Sequence, residues 1–499
     1  MLAAGIDLGG SSVKAWVAEV GGAKRGGAER GGAVVGEAIV PTPTVRPDRH
    51  LAELDPSAWW QAGRRALRAA VAQAGRPAGD YVGVTATSLR QGFVLTDGVD
   101  ELGPGVLNSD RRGAGQLDRL RRDIGVDQLY RTTGHWPAPE LTLPKLLHLA
   151  ATDPRRWAAT RRVLFVHDWA LWRLSGTEST EVSLASAGQM ADVGRRCWAA
   201  DLLDALGLGT NRLAPLVEAG AVVGRLTDPD LGLPVGLPVV AGGGDTQMAA
   251  MGSGGLADGV VTVVAGSSTP VQATVAAPPV DPERHPWVST HLAPDRWAVE
   301  TNAGYPGTML GWLAALGGCS PAALWERAAE SRPGANGVTA VVAAPVWSEE
   351  AWATRAPNAV LGVTPATTTA DLARAFVEAH AFAVRANVAD LERVLGHRAT
   401  TLVVTGGGSH QVGGGSGHAA LPGLMADVLG RDVNVPGAIQ PAALAGATLV
   451  ARACGLAEVG ARPPAVVVPA GDPRPYEEPY QRYLTAHAAL RAHLAQADG

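Results

Sequence analysis

Cysteine is scarce in this chain of 499 residues, and the scarcity excludes several kinds of site. The three cysteines, Cys197, Cys319 and Cys454, are far apart in the sequence. They therefore match neither a disulfide framework nor a zinc-binding motif. Such sparing use of cysteine fits a reducing compartment, and we expect a cytoplasmic protein.

Long apolar runs and long runs of like charge are also missing. No apolar stretch reaches the ~18 residues that a membrane-spanning helix needs. The first residues, MLAAGIDLGG, have neither the charged start nor the long apolar centre of a signal peptide. The net charge is −5, from 42 basic and 47 acidic residues, and no extended basic segment occurs. We therefore expect neither a membrane nor a nucleic acid as a partner.

Apolar residues are plentiful, at 46% against 18% charged residues, so the chain can bury large cores. Its length exceeds that of one ordinary domain. Apolar segments of strand length alternate with segments of helical periodicity, such as 57–74 and 369–395, which predicts an α/β fold. The pattern restarts near residue 255, so we predict two domains, 1–254 and 255–499.

The two predicted domains begin with similar segments. Residues 6–18 read IDLGGSSVKAWVA, and residues 263–275 read VVAGSSTPVQATV. Each segment is a strand, a Gly-Ser-Ser turn and a second strand. Because the similarity falls at the start of each half, it predicts two related lobes.

Glycine and serine recur in three turns, each directly after an apolar strand. Such small residues let a phosphate approach the backbone N–H groups that bind it. The turns consist of Gly9, Gly10, Ser11 and Ser12, with Lys14 shortly after; of Gly266, Ser267 and Ser268; and of Gly406, Gly407, Gly408 and Ser409. In a chain with 63 glycines, one such turn is ordinarily a plain hairpin. Three in comparable places predict a phosphate site between the lobes.

The common nucleotide-binding motifs do not match these turns. None reads G-x-x-x-x-G-K-[ST], which excludes a P-loop enzyme. None combines G-x-G-x-x-G at the start of a helix with a later acidic residue, which disfavours a dinucleotide-binding fold.

Two aspartates lie at the ends of apolar strands. Asp7 is placed to hold Mg²⁺, directly or through water. Asp245 follows Gly242–Gly244 at the carboxyl end of a strand, where α/β sheets bind ligands. Phosphoryl transfer needs a carboxylate that orients and deprotonates the attacking hydroxyl. The local pattern leaves two interpretations of Asp245 open, this base or the N-cap of the helix that follows.

Four segments occur in an order that resembles a known family: IDLGGSSVKA, GGGDTQMAAMGSGGLADG, VVAGSSTP and VVTGGGS. They resemble the first phosphate motif, the catalytic-aspartate segment, the second phosphate motif and the adenine-side motif of the FGGY carbohydrate kinases. That family belongs to the actin/hexokinase-like ATPase superfamily, and the resemblance extends over nearly the whole chain. It implies two actin-like, ribonuclease H-like lobes with a central cleft for ATP and a sugar.

The resemblance also implies roles for individual residues. It implies Asp245 as the catalytic base, Asp7 as the residue on the Mg²⁺ side, the three turns as the ATP-binding segments, and a homodimer. SLRQGFVLTD resembles the segment whose polar pair contacts sugar hydroxyls, which implicates Arg90 and Gln91. NSDRR resembles a W-x-D-x-R segment, which implicates Asp110 in substrate binding.

Within the family, the combination of these segments with DPERHPWVSTHLAPDRWAVET at 281–301 is most similar to the autoinducer-2 kinase branch. Arg112 is expected to be a structural partner of Asp110. The chain departs from the family at Gly10 and Ser267, where threonine is usual, and at Gln91, where that branch usually has an acidic residue. It also inserts HQVGGGSGHA after the third turn, which is several residues more than the family spacing.

The leading hypothesis is therefore an ATP- and Mg²⁺-dependent kinase that phosphorylates a sugar or polyol hydroxyl. The alternative is a catalytically weak, nucleotide-dependent sensor or interaction protein on the same fold, because the lost hydroxyls and the enlarged loop lie near the nucleotide. A related ATPase that activates a metalloenzyme is disfavoured, because the scattered cysteines do not suit an iron–sulfur centre.

Overall fold

The computed structural model describes residues 1–21, 32–42, 44–353, 358–407, 420–437, 440–457, 459 and 464–497 of the chain. Strands and helices alternate over most of this length. The predicted α/β class is confirmed. In the part of the chain that is described, no helix combines the length and the apolar character needed to cross a membrane.

The first half of the molecule contains the strands up to Gly244 and the helices between and just after them. The strands are β1 (Leu2–Leu8), β2 (Ser12–Glu19), β3 (Val34–Pro41), β4 (Glu53–Leu54), β5 (Tyr81–Ser88), β6 (Phe93–Thr96), β7 (Gly105–Val106), β8 (Arg162–Phe165), β9 (Thr180–Glu181), β10 (Ala191–Asp192), β11 (Cys197–Trp198), β12 (Leu216–Val217), β13 (Val222–Arg225) and β14 (Pro238–Gly244). The helices are α1 (Pro56–Ala74), α2 (Leu117–Asp123), α3 (Val126–Thr133), α4 (Thr142–Thr152), α5 (Pro154–Ala159), α6 (Val166–Ser175), α7 (Val182–Ala187), α8 (Ala200–Ala205) and α9 (Asp245–Gly252).

The second half begins after α9. Its strands are β15 (Val260–Val264), β16 (Pro270–Val275), β17 (Trp287–Thr290), β18 (Trp297–Asn302), β19 (Thr339–Val341), β20 (Ala359–Leu361), β21 (Thr401–Thr405), β22 (Val433–Pro436) and β23 (Pro464–Val468). Its helices are α10 (Pro306–Leu316), α11 (Pro321–Ala328), α12 (Glu349–Ala353), α13 (Thr369–Leu395), α14 (Ala420–Leu429), α15 (Pro441–Ala453) and α16 (Arg474–Ala497).

The two predicted long helices begin at residues that suit a helix start. Asp55 precedes α1 and accepts a hydrogen bond from the backbone N–H of Ser57, while Pro56 occupies the first helical position. Thr368 precedes α13 and forms a reciprocal capping box with Asp371. Both helices therefore follow the predicted segments closely.

The main sheets of the two halves repeat one topology. The first has the strand order β13-β14-β5-β1-β2-β3, and the second has the order β17-β18-β16-β15-β21-β22-β23. In the first, β1 pairs antiparallel with β2 and parallel with β5. In the second, β15 pairs in the same two ways with β16 and β21. The run β3-β2-β1-β5-β14 thus corresponds to β18-β16-β15-β21-β22, which confirms two related actin-like lobes.

Each main sheet is the centre of an apolar core. The first core packs α1 and α6 on β1, β5 and β14, and the second packs α13 and α14 on β15, β16 and β21. A third core lies between α9 and α15, and Trp16 of β2 packs into it. The helix α9 therefore leads directly from the first sheet into the junction between the lobes.

Segment 281–301 also joins the lobes. Trp136 of the first half packs against Trp287 and Trp347, with ring centroids 4.9 and 5.3 Å apart. The indole of Trp136 donates a hydrogen bond to the His285 carbonyl at 3.2 Å. The hydroxyl of Tyr130 donates to the carbonyl of Pro286 at 2.7 Å. Aromatic burial of this kind fixes one side of the lobe interface.

Candidate active site

Asp7 and Asp245 lie at the same edge of the first sheet. Asp7 belongs to β1, and Asp245 directly follows β14. Both strands pair parallel with β5, in registers that place Asp7 beside Thr87 and Gly244 beside Ser88. Because parallel strands present their carboxyl ends at the same edge, the two carboxylates lie at that edge with only the strand β5 between them.

The charges around Asp7 show how close these groups are. Burial and, after it, the charge of Asp245 raise the pKa of Asp7 to about 7, against the opposing effect of Lys14. Lys14 is the cross-strand partner of Asp7 in the β1–β2 hairpin. Two neighbouring carboxylates with one nearby ammonium group are a set of oxygen ligands and charges that suits Mg²⁺.

Asp245 does not cap the helix that follows it. The helix α9 begins at Asp245 itself, after Gly244, and has no side-chain cap. The Oδ1 atom of Asp245 accepts hydrogen bonds from the N–H and the hydroxyl of Thr246, at 2.7 and 3.2 Å. Within the described part of the chain, the structure gives the Oδ2 atom no donor. The side chain is half-buried, so one oxygen is held and the other remains available.

The first predicted phosphate turn joins β1 to β2. The N–H of Gly9 donates to the carbonyl of Ser12 at 3.0 Å, and the hydroxyl of Thr44 donates to the carbonyl of Gly10 at 2.7 Å. A Cβ atom on Gly9 would lie 2.8 Å from the Ser12 carbonyl oxygen, so the turn needs glycine there. Ser11 at its tip is exposed.

The second predicted phosphate turn joins β15 to β16 and supports the start of α10. The N–H of Gly266 donates to the carbonyl of Ser268 at 3.1 Å, which leaves Ser267 exposed at the tip. The carbonyl of Ser267 accepts the N–H and the hydroxyl of Thr308, at 3.2 and 3.3 Å. Gly307 lies so close to this turn that a Cβ atom there would be 2.0 Å from the Gly266 carbonyl oxygen.

The third predicted turn begins beside the second. The N–H of Ala265 donates to the carbonyl of Thr405 at 2.7 Å. Gly406 has φ +91°, and a Cβ atom there would lie 2.6 Å from the Ala265 carbonyl oxygen. Gly407 is exposed. The other predicted residues of this turn, Gly408 and Ser409, and the insertion at 410–419 lie outside the described residues.

Arg90 bridges the lobes beside Asp245. Its Nη1 and Nη2 atoms donate to Oε2 and Oε1 of Glu300, a residue of β18, at 2.8 and 2.9 Å. Both side chains are at most one-tenth exposed. Burial lowers the pKa of Arg90, but Glu300 and, more weakly, the charge of Asp245 raise it more, so the net shift is upward. The sequence did not point to Glu300 as a partner.

Gln91 follows in a left-handed backbone conformation, with φ +59°. Its side chain is buried, and its carbonyl accepts hydrogen bonds from the hydroxyl of Thr142 and from Nζ of Lys145, both at 3.2 Å. The same Nζ atom donates to the carbonyls of Leu107 at 2.8 Å and Asn108 at 3.3 Å. Lys145, which the sequence did not single out, therefore ties the loop of Arg90 and Gln91 to the loop that leads to Asp110.

Asp110 is fully buried, and both oxygens of its carboxylate accept hydrogen bonds. Its Oδ2 atom accepts from the N–H of Ala52 at 2.8 Å, and its Oδ1 atom accepts from Nε of Arg112 at 2.8 Å. Burial raises the pKa of Asp110, but these donors lower it more. Arg112 also pairs with Glu53 at 2.6 Å. Arg112 thus binds the carboxylate of Asp110, as expected of a structural partner. A contact between Asp110 and the sugar stays a prediction.

If Arg90 and Gln91 bind the substrate sugar, as the family resemblance implies, replacing Lys145 with methionine should weaken sugar binding selectively. The substitution removes the donor that the carbonyls of Gln91, Leu107 and Asn108 share, so the Gln91 carbonyl, in the loop that carries Arg90, is left with the bond from Thr142. We expect the sugar KM to rise about tenfold or more while the ATP KM stays within about twofold, and stability to fall by about 1–3 kcal/mol. Steady-state kinetics with each substrate varied in turn measures the split.

Thr142→Val is the graded control for this experiment, because it removes only one donor to the Gln91 carbonyl. Its sugar KM should lie between those of the wild type and Lys145→Met. Equal changes in both KM values in Lys145→Met would mean that Lys145 merely stabilises the fold.

Two related lobes, each with a small-residue turn after its first strand, and two carboxylates at the edge of the first sheet define the actin-like class of folds. Profiles of the FGGY family of carbohydrate kinases match the chain over residues 2–252 for the N-terminal domain and 261–454 for the C-terminal domain. The chain belongs to the FGGY family of carbohydrate kinases. It is thus a phosphotransferase that acts on a sugar hydroxyl.

Individual relatives agree with this family. The chain is 33% identical over 235 residues to YoaC of Bacillus subtilis, a match that covers 46% of each protein. It is 29% identical over 452 residues to the autoinducer-2 kinase of Escherichia coli, covering 83% of this chain and 82% of that one. The crystal structure of xylulose kinase from Rhodospirillum rubrum is 25% identical, with a TM-score of 0.82 over 99% of this chain and 100% of that chain.

Proposed function

We propose that the protein transfers the γ-phosphate of ATP to a hydroxyl of a sugar or polyol, with Asp245 as the general base. The observation that carries this proposal is the position of Asp245 at the lobe junction. One carboxylate oxygen is held by Thr246 while the other accepts no bond from the described residues. Asp7 and Arg90 lie close enough for the charge of Asp245 to raise the pKa of each of them.

The proposed chemistry uses this free oxygen. The Oδ2 atom of Asp245 takes the proton of the substrate hydroxyl while that hydroxyl oxygen forms a bond to the γ-phosphorus. The bond between the γ-phosphorus and the bridging oxygen breaks, and ADP leaves with the electron pair. The proton then passes from Asp245 to solvent when the lobes open. The products are a sugar phosphate and ADP.

The two lobes are proposed to bind different parts of the reactants. We assign the sugar and the first phosphate turn to residues 1–254, and most of the nucleotide to residues 255–499. Asp7 would hold Mg²⁺, which supplies positive charge to the phosphate oxygens when it is bound. The backbone N–H groups of the turns around Ser11, Ser267 and Gly407 would contact the phosphates, because small exposed residues permit that approach.

The substrate is proposed to be a polyhydroxylated chain of sugar size. Arg90 supplies N–H donors and Gln91 supplies an amide with donors and an acceptor, and both kinds of group can bind sugar hydroxyls. The similarity to the autoinducer-2 kinase and to a xylulose kinase makes the linear autoinducer-2 precursor and ketopentoses the first compounds to test.

A substrate panel tests the proposed function. Pentoses, ketoses, polyols and the linear autoinducer-2 precursor are each incubated with ATP and Mg²⁺, and ADP release is measured. We expect one class of compound to raise ADP release far above the rate without sugar, with a phosphorylated product detectable by mass spectrometry. Nucleotide binding without phosphorylation of any compound would instead favour the sensor on the same fold.

A further inference from the structure

We infer that Glu300 and Gln272 form a clamp that couples nucleotide binding in the second lobe to the sugar loop and the catalytic aspartate in the first. In this role both are positioning residues. The inference rests on the proposed function, because it takes the turn at Gly266–Ser268 to be the phosphate site. It adds a route by which an occupied turn acts on Arg90 and Asp245.

The clamp consists of two neighbouring side chains on the second sheet. Gln272 of β16 and Glu300 of β18 are direct cross-strand partners, so their side chains project from the same face. Both are buried, at 2% and 4% exposure. Both reach into the first half of the molecule, to different elements of the candidate active site.

Glu300 holds the sugar loop, and Gln272 holds the start of α9. The carboxylate of Glu300 accepts both guanidinium hydrogen bonds of Arg90, at 2.8 and 2.9 Å. The Nε2 atom of Gln272 donates to the carbonyl of Thr246 at 3.1 Å. Thr246 is the residue whose N–H and hydroxyl orient the carboxylate of Asp245. The two bonds therefore fix the positions of Arg90 and of Asp245 relative to one pair of strands.

The same strands lead directly to the second phosphate turn. The strand β16 starts two residues after Ser268, and β18 ends at Asn302, shortly before α10. Between them, the N–H of Thr269 donates to the carbonyl of Gly304 at 3.0 Å, and the N–H of Ala303 donates to the carbonyl of Thr269 at 2.9 Å. A shift of the turn on binding phosphate therefore moves the ends of both clamp strands.

A buried ion pair suits this role because its members resist separation. Removing one partner of such a pair leaves an uncompensated charge in a poorly solvated place. For Arg90 there is a second consequence, because the Asp245 carboxylate also acts on its charge. Without Glu300, Arg90 is left to pair with Asp245 and to occupy the oxygen that the substrate hydroxyl needs. Glu300 thus keeps the base free while it links the lobes.

Hydrogen exchange in the presence of MgADP alone tests the clamp without any sugar. In the wild type, MgADP should slow exchange in residues 262–269, where it binds, and also slow exchange in residues 86–92 by about fivefold, the lower end of ordinary coupling between sites. In Glu300→Gln, the protection of 262–269 should persist. The effect of MgADP on 86–92 should fall below about twofold.

Two further variants make the outcome decisive. In the wild type, MgADP should also slow exchange in residues 245–250. Gln272→Met removes the bond to Thr246 and should abolish this effect, so the inference can be tested even if Glu300→Gln folds poorly. Glu477→Gln breaks a comparable two-bond pair with Arg385 that lies within the second half and is more exposed. It should behave like the wild type.

The inference is overturned if MgADP protects 262–269 in the wild type without slowing 86–92, or if Glu300→Gln and Gln272→Met transmit the effect as well as the wild type. Absence of protection at 262–269 in the wild type would overturn the nucleotide site itself, and the inference with it. If sugar-dependent turnover is normal while MgADP protects 262–269 without slowing exchange in 86–92, the clamp is ruled out and the proposed function stands.

Discussion

Asp245→Asn should reduce sugar-dependent ADP formation by about 10²–10⁴-fold, the usual contribution of a positioned general base. The amide has nearly the same shape as the carboxylate, and its oxygen still accepts the N–H of Thr246, so the start of α9 should be unchanged. What is lost is the basic oxygen that takes the substrate proton. Coupled-assay kinetics at saturating ATP, with the sugar found in the panel, measures the effect.

The matched control is Asp258→Asn, which removes an exposed carboxylate a short distance beyond α9. Its turnover should equal that of the wild type. Binding of ADP without Mg²⁺ should also be preserved in Asp245→Asn, because the nucleotide is assigned to other residues. If the turnover of Asp245→Asn is within about threefold of the wild type, no general base acts at this position.

Gly307→Ala should weaken nucleotide binding by about 5–150-fold, the range that corresponds to about 1–3 kcal/mol of overpacking. The new methyl group would lie 2.0 Å from the carbonyl oxygen of Gly266, and the nearest atoms are backbone that cannot simply rotate away. The second phosphate turn must therefore move relative to α10. Isothermal titration of MgADP measures the loss of affinity.

Gly311→Ala is the control on the same helix. A Cβ atom at Gly311 meets nothing within 4 Å, so this change should only improve helix propensity. Its melting temperature should be equal to or above that of the wild type. If Gly307→Ala binds MgADP as tightly as the wild type, the contact between α10 and the turn does not shape the nucleotide site.

The fold could be predicted because its signals are local. The segments at 6–18 and 263–275 showed the two hairpins directly, and the ends of apolar strands located Asp7 and Asp245. One local signal is misleading, because the apolar segment 338–346 is much longer than the strand that it contains, Thr339–Val341. The strand cannot extend to the end of this segment, because the N–H of Ala344 bonds to the carbonyl of Ala303 and Pro345 has no N–H for a ladder.

The candidate site was less predictable because several of its residues act through distant partners. Arg90 and Glu300 are 210 positions apart, and no local pattern connects them. Lys145 lies in an apolar helix segment and acts through backbone carbonyls, which carry no sequence signal. Gln91 was predicted from its side chain, but the hydrogen bonds that anchor it use its carbonyl. The sequence offered one hint of the role of Lys145, since a lysine is unusual within an apolar helical segment.

The most direct measurement is a crystal structure with a non-hydrolysable ATP analogue, Mg²⁺ and the sugar identified by the panel. We expect the acceptor hydroxyl to lie about 2.6–3.2 Å from Oδ2 of Asp245 and to face the γ-phosphate in line with the bond to be broken. An acceptor hydroxyl bound to another group, with the Asp245 carboxylate paired to Arg90 or turned away from the cleft, would contradict it.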